Sequence, residues 1–205
     1  MNFKKSGIFS RKSELEERLS EDLEPRNQVL AVWGSPGCGK TMTAVKLAKH
    51  LAAKKKNVVL LLCDMTAPML PCICPPGELE SEHSLGSVLA AARVSESLVK
   101  HNLIIHKRYD CLTFLGMLRG ENEYTYPPYT ASQASELIQC LRNIAPYIII
   151  DCGSYIANDI LSAVALMESD AVLRLVNCDL KSVSYLASQL PLLRDNQWDA
   201  DKQYR

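Results

Sequence analysis

Apolar residues along the chain fall into two alternating patterns. Short, nearly unbroken apolar runs occupy residues 29–33, 58–63, 103–105, 112–115, 147–150 and 171–176. Between them lie stretches in which apolar positions recur every three or four residues, at 41–54, 85–92, 96–101, 130–143, 158–168 and 180–194. The first kind has strand length, and its lack of polar alternation in 58–63 and 147–150 predicts strands covered on both faces. The second kind predicts amphipathic helices; in 130–143 the spacing puts Ala134, Leu137, Ile138 and Leu141 on one side. Runs 103–105 and 112–115 flank a turn at 107–110 and predict two short strands. Strand alternating with helix predicts a three-layer α/β/α fold around a mostly parallel sheet.

Four stretches fall outside this alternation. In residues 1–26, Leu15, Leu19 and Leu23 recur every four residues and Ser13 with Glu16 makes a capping box. They predict a short amphipathic helix over 13–23, an N-terminal arm that packs on the sheet edge or, less simply, binds a partner. Residues 65–83 hold Pro68, Pro71, Pro75 and Pro76 and read as a long irregular loop. Its Cys72 and Cys74 lack a second Cys/His pair at metal-site spacing, so apolar packing of the thiols is the expectation. Residues 120–129, with Tyr124, Tyr126 and Tyr129 beside two prolines, are a recognition surface or a lid packed on the domain. The polar stretch 195–205 predicts no strand after the last helix. The expected organisation is therefore an arm, 1–26, and one domain, 27–205, truncated at its C-terminal sheet edge.

Composition narrows the function classes. The 23 Lys+Arg balance the 23 Asp+Glu, so no global field favours nucleic acid or an anionic membrane. Eight cysteines in 205 residues are too sparse for a disulfide scaffold and suit a reduced, cytoplasmic setting. No apolar run approaches the roughly 18 residues of a transmembrane helix.

The chemistry concentrates at Gly34-Ser35-Pro36-Gly37-Cys38-Gly39-Lys40-Thr41, which fits G-x-x-x-x-G-K-[ST] between a strand-like run and a helical stretch. Glycines let such a loop curl so that successive N–H groups face a phosphate, and the helix N-terminus adds its positive end. Residues 34–42, Met42 included, are the candidate nucleotide-binding set. Lys40 is expected to reach the β- and γ-phosphates and Thr41 to hold Mg²⁺. The plainer alternative, an ordinary glycine-rich turn, does not account for all four fixed residues with both flanks. Two further carboxylates close buried runs. Asp151, after four apolar residues, suits support of Mg²⁺ through water; Asp64 lies at the carboxyl end of its run, where α/β sheets bind ligands, or else caps the following turn.

Three motifs make the chain resemble the MinD/ParA group of P-loop ATPases (SIMIBI type), including the CpaE-like pilus-assembly relatives, over about residues 28–193. They are 34–41 with its long helix, 58–64 ending in Asp64 like the family's switch I strand, and 147–154 with Asp151, like switch II. Residues 163–172 look like the family's helix leading into a strand. The resemblance implies ATP/ADP and Mg²⁺ as ligands and ATP hydrolysis with Lys40 and Asp64 as catalytic residues. It also implies a protein partner, a homodimer, and a switch role in positioning, partitioning or secretion and pilus assembly.

The chain departs from the family twice. Ser35 stands where members with the deviant loop carry a signature lysine that crosses to the partner's nucleotide, and Leu62 stands where the family has a first aspartate. Slow hydrolysis by the chain alone follows. Bacterial tyrosine kinases of the same ancestry have a loop similar to 35–41, but their D-x-D-x-R reads Leu62, Cys63, Asp64, Met65, Thr66 here, and Tyr204 stands alone in the tail. A third reading is a nucleotide-binding regulator or adaptor with little hydrolysis.

Overall fold

In the computed structural model, which describes residues 28–74, 83–194 and 203–204, each of the six apolar runs forms a strand. The elements follow one another as β1 (Gln28–Gly34), α1 (Lys40–Ala53), β2 (Val58–Leu62), α2 (Leu70–Ile73), α3 (Leu85–Leu89), α4 (Glu96–Asn102), β3 (Ile104–His106), β4 (Tyr109–Leu115), α5 (Ala131–Ile144), β5 (Tyr147–Asp151), α6 (Ile160–Glu168), β6 (Ala171–Leu175), α7 (Leu180–Arg194) and β7 (Gln203–Tyr204). The arm expected over 1–26 lies outside the described residues, as do 75–82 of the irregular loop.

The strands form one sheet in the order β3-β4-β2-β5-β1-β6-β7. All neighbours are parallel except the β3–β4 hairpin. Helices cover both faces, so the three-layer arrangement is the observed one. On one face α1 lays Ala44, Ala48 and Ala52 on Leu60, Leu62 and Phe114; small side chains let the helix sit close to the sheet. On the other face α3 to α6 and part of α7 enclose a larger core with Leu61, Ile148 and Ile150. All five residues of β2 are buried, as an all-apolar strand between two layers requires.

Local signals end most elements where they should. Thr130 and Gln133 form a full capping box at α5, and its predicted apolar face, Ala134, Leu137, Ile138 and Leu141, is buried. Asp179 caps α7, its Oδ1 accepting from Ser182 N at 2.7 Å. Cys74 is buried as expected of a packed thiol, whereas Cys72 is exposed.

One expectation fails. A strand does follow the last helix: β7 pairs in parallel with β6, Val172 opposite Gln203 and Leu173 opposite Tyr204. A two-residue edge strand is held by backbone pairing, which leaves no hydrophobic run for sequence patterning to detect. The sheet therefore carries an edge strand that the reading of a truncated edge did not include.

β1 and β6 meet closely at Gly34. A Cβ there would stand 1.8 Å from the Leu175 carbonyl oxygen, a backbone atom that cannot rotate away. Gly37, by contrast, has a φ of +76° and open space around it. Gly34→Ala should therefore cost more than Gly37→Ala, for which left-handed strain alone predicts about 1–2 kcal/mol. Urea unfolding of the two variants checks this; equal losses would contradict the close-approach argument.

Candidate functional site

Parallel pairing brings the carboxyl ends of β1, β5 and β2 side by side, with Asp151 in register with Val32 on one side and Leu62 on the other. Ligands of open α/β sheets sit beyond such ends. The loop from Ser35 to Gly39 turns there into α1, whose N-cap Gly39 has φ 86° and makes no side-chain cap. The other described helices of five residues or more have side-chain caps from Ser84, Ser95, Thr130, Asp159 and Asp179. The N-terminal amides of α1 and its positive dipole end are thus left for an anion.

The side chains at this helix start already engage the strand ends. Thr41 Oγ1 donates to Asp151 Oδ2 at 2.6 Å. Lys40 Nζ donates to Ser154 Oγ at 2.7 Å and to the Ser35 carbonyl at 3.4 Å. Asp151 is only 2% exposed, and its Oδ1 is buried without a partner among the described residues. Burial pushes the Asp151 carboxyl up to about 6, against the Thr41 hydrogen bond and the Lys40 charge, while Asp64 adds to the rise. One orphaned carboxylate oxygen beside a hydroxyl is a hard-cation donor set, so Thr41 and Asp151 could hold Mg²⁺.

Asp64 lies just past the end of β2, and its Oδ1 accepts from Thr66 N at 3.0 Å and Ala67 N at 2.9 Å. The turn-capping role is therefore real, and it leaves Oδ2 without a hydrogen bond among the described residues, on a residue that also lines the site. Asp159 faces the same space. Its carboxylate accepts from Ser162 N and Ser162 Oγ, and Ser162 Oγ in turn accepts from Gly153 N at 2.8 Å. Burial raises the Asp159 carboxyl above its ordinary value. Behind these residues burial also pushes the Cys63 and Cys152 thiols well up, which keeps them protonated.

A cavity of about 950 Å³ opens over the loop. Pro36, Gly37, Gly39, Lys40, Thr41, Asp64 and the strand-end residues Gly153 and Ser154 line it, and the tyrosine-bearing loop closes its far side. That loop is a lid packed on the domain. Tyr126 stacks against Gly86, where a Cβ would meet the ring at 2.2 Å, and its hydroxyl donates to Glu121 at 2.6 Å. Tyr129 Oη accepts from Leu161 N at 3.1 Å.

The structure thus brings Lys40, Thr41 and Asp64 to one cavity, with Asp151 behind the lining and reached through its hydrogen bond from Thr41. Gly34 and Ser35 lie buried beneath it, Cys38 is half-buried, and Met42 points away at 61% exposure; none of these four lines the cavity. Sequence reading missed Ser154, Asp159, Ser182 and Tyr185. Only Asp159 left a signal, an Asp three residues before Ser162 at a helix start. Ser182 Oγ meets Ser35 Oγ at 2.9 Å and Tyr185 Oη donates to the Ser154 carbonyl. These are contacts across more than thirty residues that no local pattern encodes.

No protein-family model matches the chain, and no curated protein matches it. Solved structures do. The septum site-determining protein MinD complexed with Mg-ADP from Pyrococcus horikoshii OT3 is 17% identical over 83% of this chain and 66% of that one, with a TM-score of 0.63. A ParA family ATPase from Chlorobium tepidum TLS is 17% identical over 86% and 72%, with a TM-score of 0.65. The kinase domain of VpsO is 17% identical over 96% and 97%, with a TM-score of 0.64. The chain has the MinD/ParA-like P-loop NTPase fold. It spans 66% of the MinD structure's length and nearly all of the VpsO kinase domain.

The raised Asp151 carboxyl gives a pH test on the ligand-free protein. Its folded value, about 6, exceeds the ordinary 3.8, so the folded state binds the extra proton. The ionised group's cost is then fully present above the folded value and fades as pH falls toward the unfolded one. Asp151→Asn should stabilise the free protein by up to ~3 kcal/mol near pH 7.5, with about half of that gain left near pH 5. Urea titrations at both pH values check it; a gain independent of pH, or a loss, would refute the desolvation argument.

Proposed function

We propose that the chain is a Mg²⁺-dependent, ATP-binding switch that hydrolyses ATP slowly on its own and acts through a protein partner. The observation that carries this reading is the pairing of the loop with the Asp151 strand end. An uncapped helix N-terminus offers its amides, Thr41 bonds Asp151, and a second Asp151 oxygen is buried with no partner. That combination suits a phosphate chain with its cation better than it suits a structural turn.

In the reaction ATP + H₂O → ADP + phosphate, the amides of Gly37, Cys38, Gly39 and Lys40 cradle the phosphates. Lys40 leaves Ser154 for the β- and γ-phosphate oxygens and offsets the charge that develops there. Mg²⁺, held by Thr41 and through water by Asp151, would neutralise phosphate charge. Asp64 orients the attacking water with the oxygen its turn does not use. Ser35 supplies no cation, so turnover of the chain alone should stay near or below about 10⁻² s⁻¹, the range of switch NTPases without an external finger. Positioning, partitioning and pilus or secretion assembly are the processes that suit such a switch, with a homodimer or another protein as the partner.

The near-complete overlap with the VpsO kinase domain favours a second reading, phosphoryl transfer to tyrosine. Against it, Leu62 is a core residue at 2% exposure where the kinase motif needs an acid, and Thr66 stands where it needs arginine. Incubation with labelled ATP should release free phosphate and leave protein tyrosines unlabelled.

Mg-ADP at saturating concentration should raise the melting temperature, and Lys40→Ala should remove most of that rise. Equal shifts in both proteins would refute the site.

The two aspartates should separate kinetically. Asp151→Asn should weaken Mg²⁺-dependent nucleotide binding and turnover together, because it removes charge beside a divalent ion. Asp64→Asn should leave affinity unchanged and slow single-turnover hydrolysis by roughly 10²-fold, since its contribution arises in the transition state. Hydrolysis at the wild-type rate in Asp64→Asn would leave that residue a turn cap and nothing more.

A further inference from the structure

The cavity extends from the phosphate loop past Asp64 to the lid. With a triphosphate on the loop, its γ end faces Asp64 and Asp151, so the space beyond Asp64 lies on the side from which an in-line attacker approaches. This placement rests on the nucleotide reading above. The cavity, about 950 Å³ over its whole extent, includes both the phosphate loop and this outer recess. Its outer wall is built beforehand, because Glu121 ties the lid from behind. The Glu121 carboxylate accepts from Tyr126 Oη at 2.6 Å, Ser84 Oγ at 2.5 Å and Leu118 N at 2.7 Å.

The wall's chemistry is uneven. Aromatic rings come from Tyr124, Tyr126, Tyr129 and Tyr155, and polarizable apolar surface comes from Met65, Met69 and Met117. Three carboxylates, Asp64, Glu123 and Asp159, line it as well, whereas Lys40 is the sole Lys, Arg or His among the described lining residues. Lys40 belongs to the phosphate end. The outer recess is therefore aromatic, apolar and acidic, and a γ-phosphate at its floor would add further negative charge. An anionic second ligand is repelled on every side. A protonated amine on an apolar body gains ring faces, carboxylates and phosphate together.

We infer that the recess beyond Asp64 is a second ligand subsite, taking an organic cation with an aromatic or apolar body against the γ-phosphate side of the nucleotide. The site is distinct from the phosphate loop and uses the lid as its wall. Binding of such a molecule would displace water from the attack side, making it a small-molecule regulator of the switch.

The probe is 2-phenylethylamine, titrated by calorimetry into the full chain saturated with Mg-ADP, with 3-phenylpropanoate and 2-phenylethanol as the anionic and neutral near-isosteres. The amine should bind at least about tenfold more tightly than either. Ile160, 41% exposed at the cavity rim, gives a variant that fills the recess without disturbing the core. Ile160→Trp should keep Mg-ADP binding and weaken the amine by about tenfold or more. Glu123→Gln, on an exposed loop, should weaken it about two- to threefold. Lys40→Ala should lose Mg-ADP yet keep the amine, so failure of the nucleotide reading and failure of the subsite register in different titrations. No amine binding at millimolar concentration, equal binding of the acid or alcohol, or unchanged affinity in an ADP-competent Ile160→Trp protein would each overturn the inference.

Discussion

An uncapped helix start at the centre of a parallel sheet is the constraint on which the site depends. Five other helices close their first turn with a side-chain oxygen. α1 starts instead from a left-handed glycine, and its free amides face outward beside two strand ends. To hold that geometry the chain accepts two local costs. Gly34 must lie so close to β6 that a Cβ there would collide with the Leu175 carbonyl, and Asp151 must sit desolvated with an oxygen that has no partner among the described residues. The second is a net loss in the free protein, since an orphaned buried carboxylate oxygen forgoes its hydrogen bond; under the proposed function a bound cation would offset it.

What was legible in the sequence follows from how far each signal reaches. The strands β1, β2 and β5 were visible because burial on both faces leaves unbroken apolar runs, and the loop was visible because its glycines and Lys40 are fixed by short-range geometry. β7 was invisible because two residues of backbone pairing impose no side-chain pattern. The lid was legible as a tyrosine-rich loop, with its choice between recognition surface and lid left open. The contacts that settle it run from Tyr126 to Gly86, from Glu121 to Ser84 and from Tyr129 to Leu161. Asp64 shows the same limit at smaller scale. Its position past β2 fitted two roles, and the Thr66 and Ala67 amides show that one oxygen caps the turn while the other stays open.

Ser35 and Leu62, the two departures from the MinD/ParA pattern, prove to be inward positions. Ser35 is 1% exposed and bonded to Ser182 of α7, and Leu62 is 2% exposed between α1 and the sheet. A lysine ammonium at the first, in this conformation, would be buried against a helix that offers a hydroxyl, and a carboxylate at the second would be buried among leucines. Either would carry a desolvation cost with no opposite charge beside it. The chain thus has packing at two positions where the pattern it resembles has charge; under the proposed function this leaves the loop without a cation at Ser35 to stabilise transferring phosphate.

That exchange also sets how the site is wired to the surface. Lys40 now rests on Ser154, and the Ser154 carbonyl accepts from Tyr185 Oη of α7, whose ring also lies 5.9 Å from Trp33. Ser35 is tied to the same helix through Ser182. Phosphate oxygens compete with Ser154 for the Lys40 ammonium, which already gives two of its three N–H donors to Ser154 and the Ser35 carbonyl. Under the proposed function, nucleotide binding therefore draws Lys40 off Ser154 and leaves that hydroxyl to its Tyr185-held backbone. The helix that senses this at its inner face carries Leu180 at 88% and Val183 at 60% exposure on its outer one. A perturbation of a few tenths of an ångström at Ser154 or Ser35 acts on a packed helix rather than on a free loop, and packed elements shift between discrete positions instead of deforming smoothly. Under the proposed function, these contacts give the phosphate site a direct mechanical connection to α7.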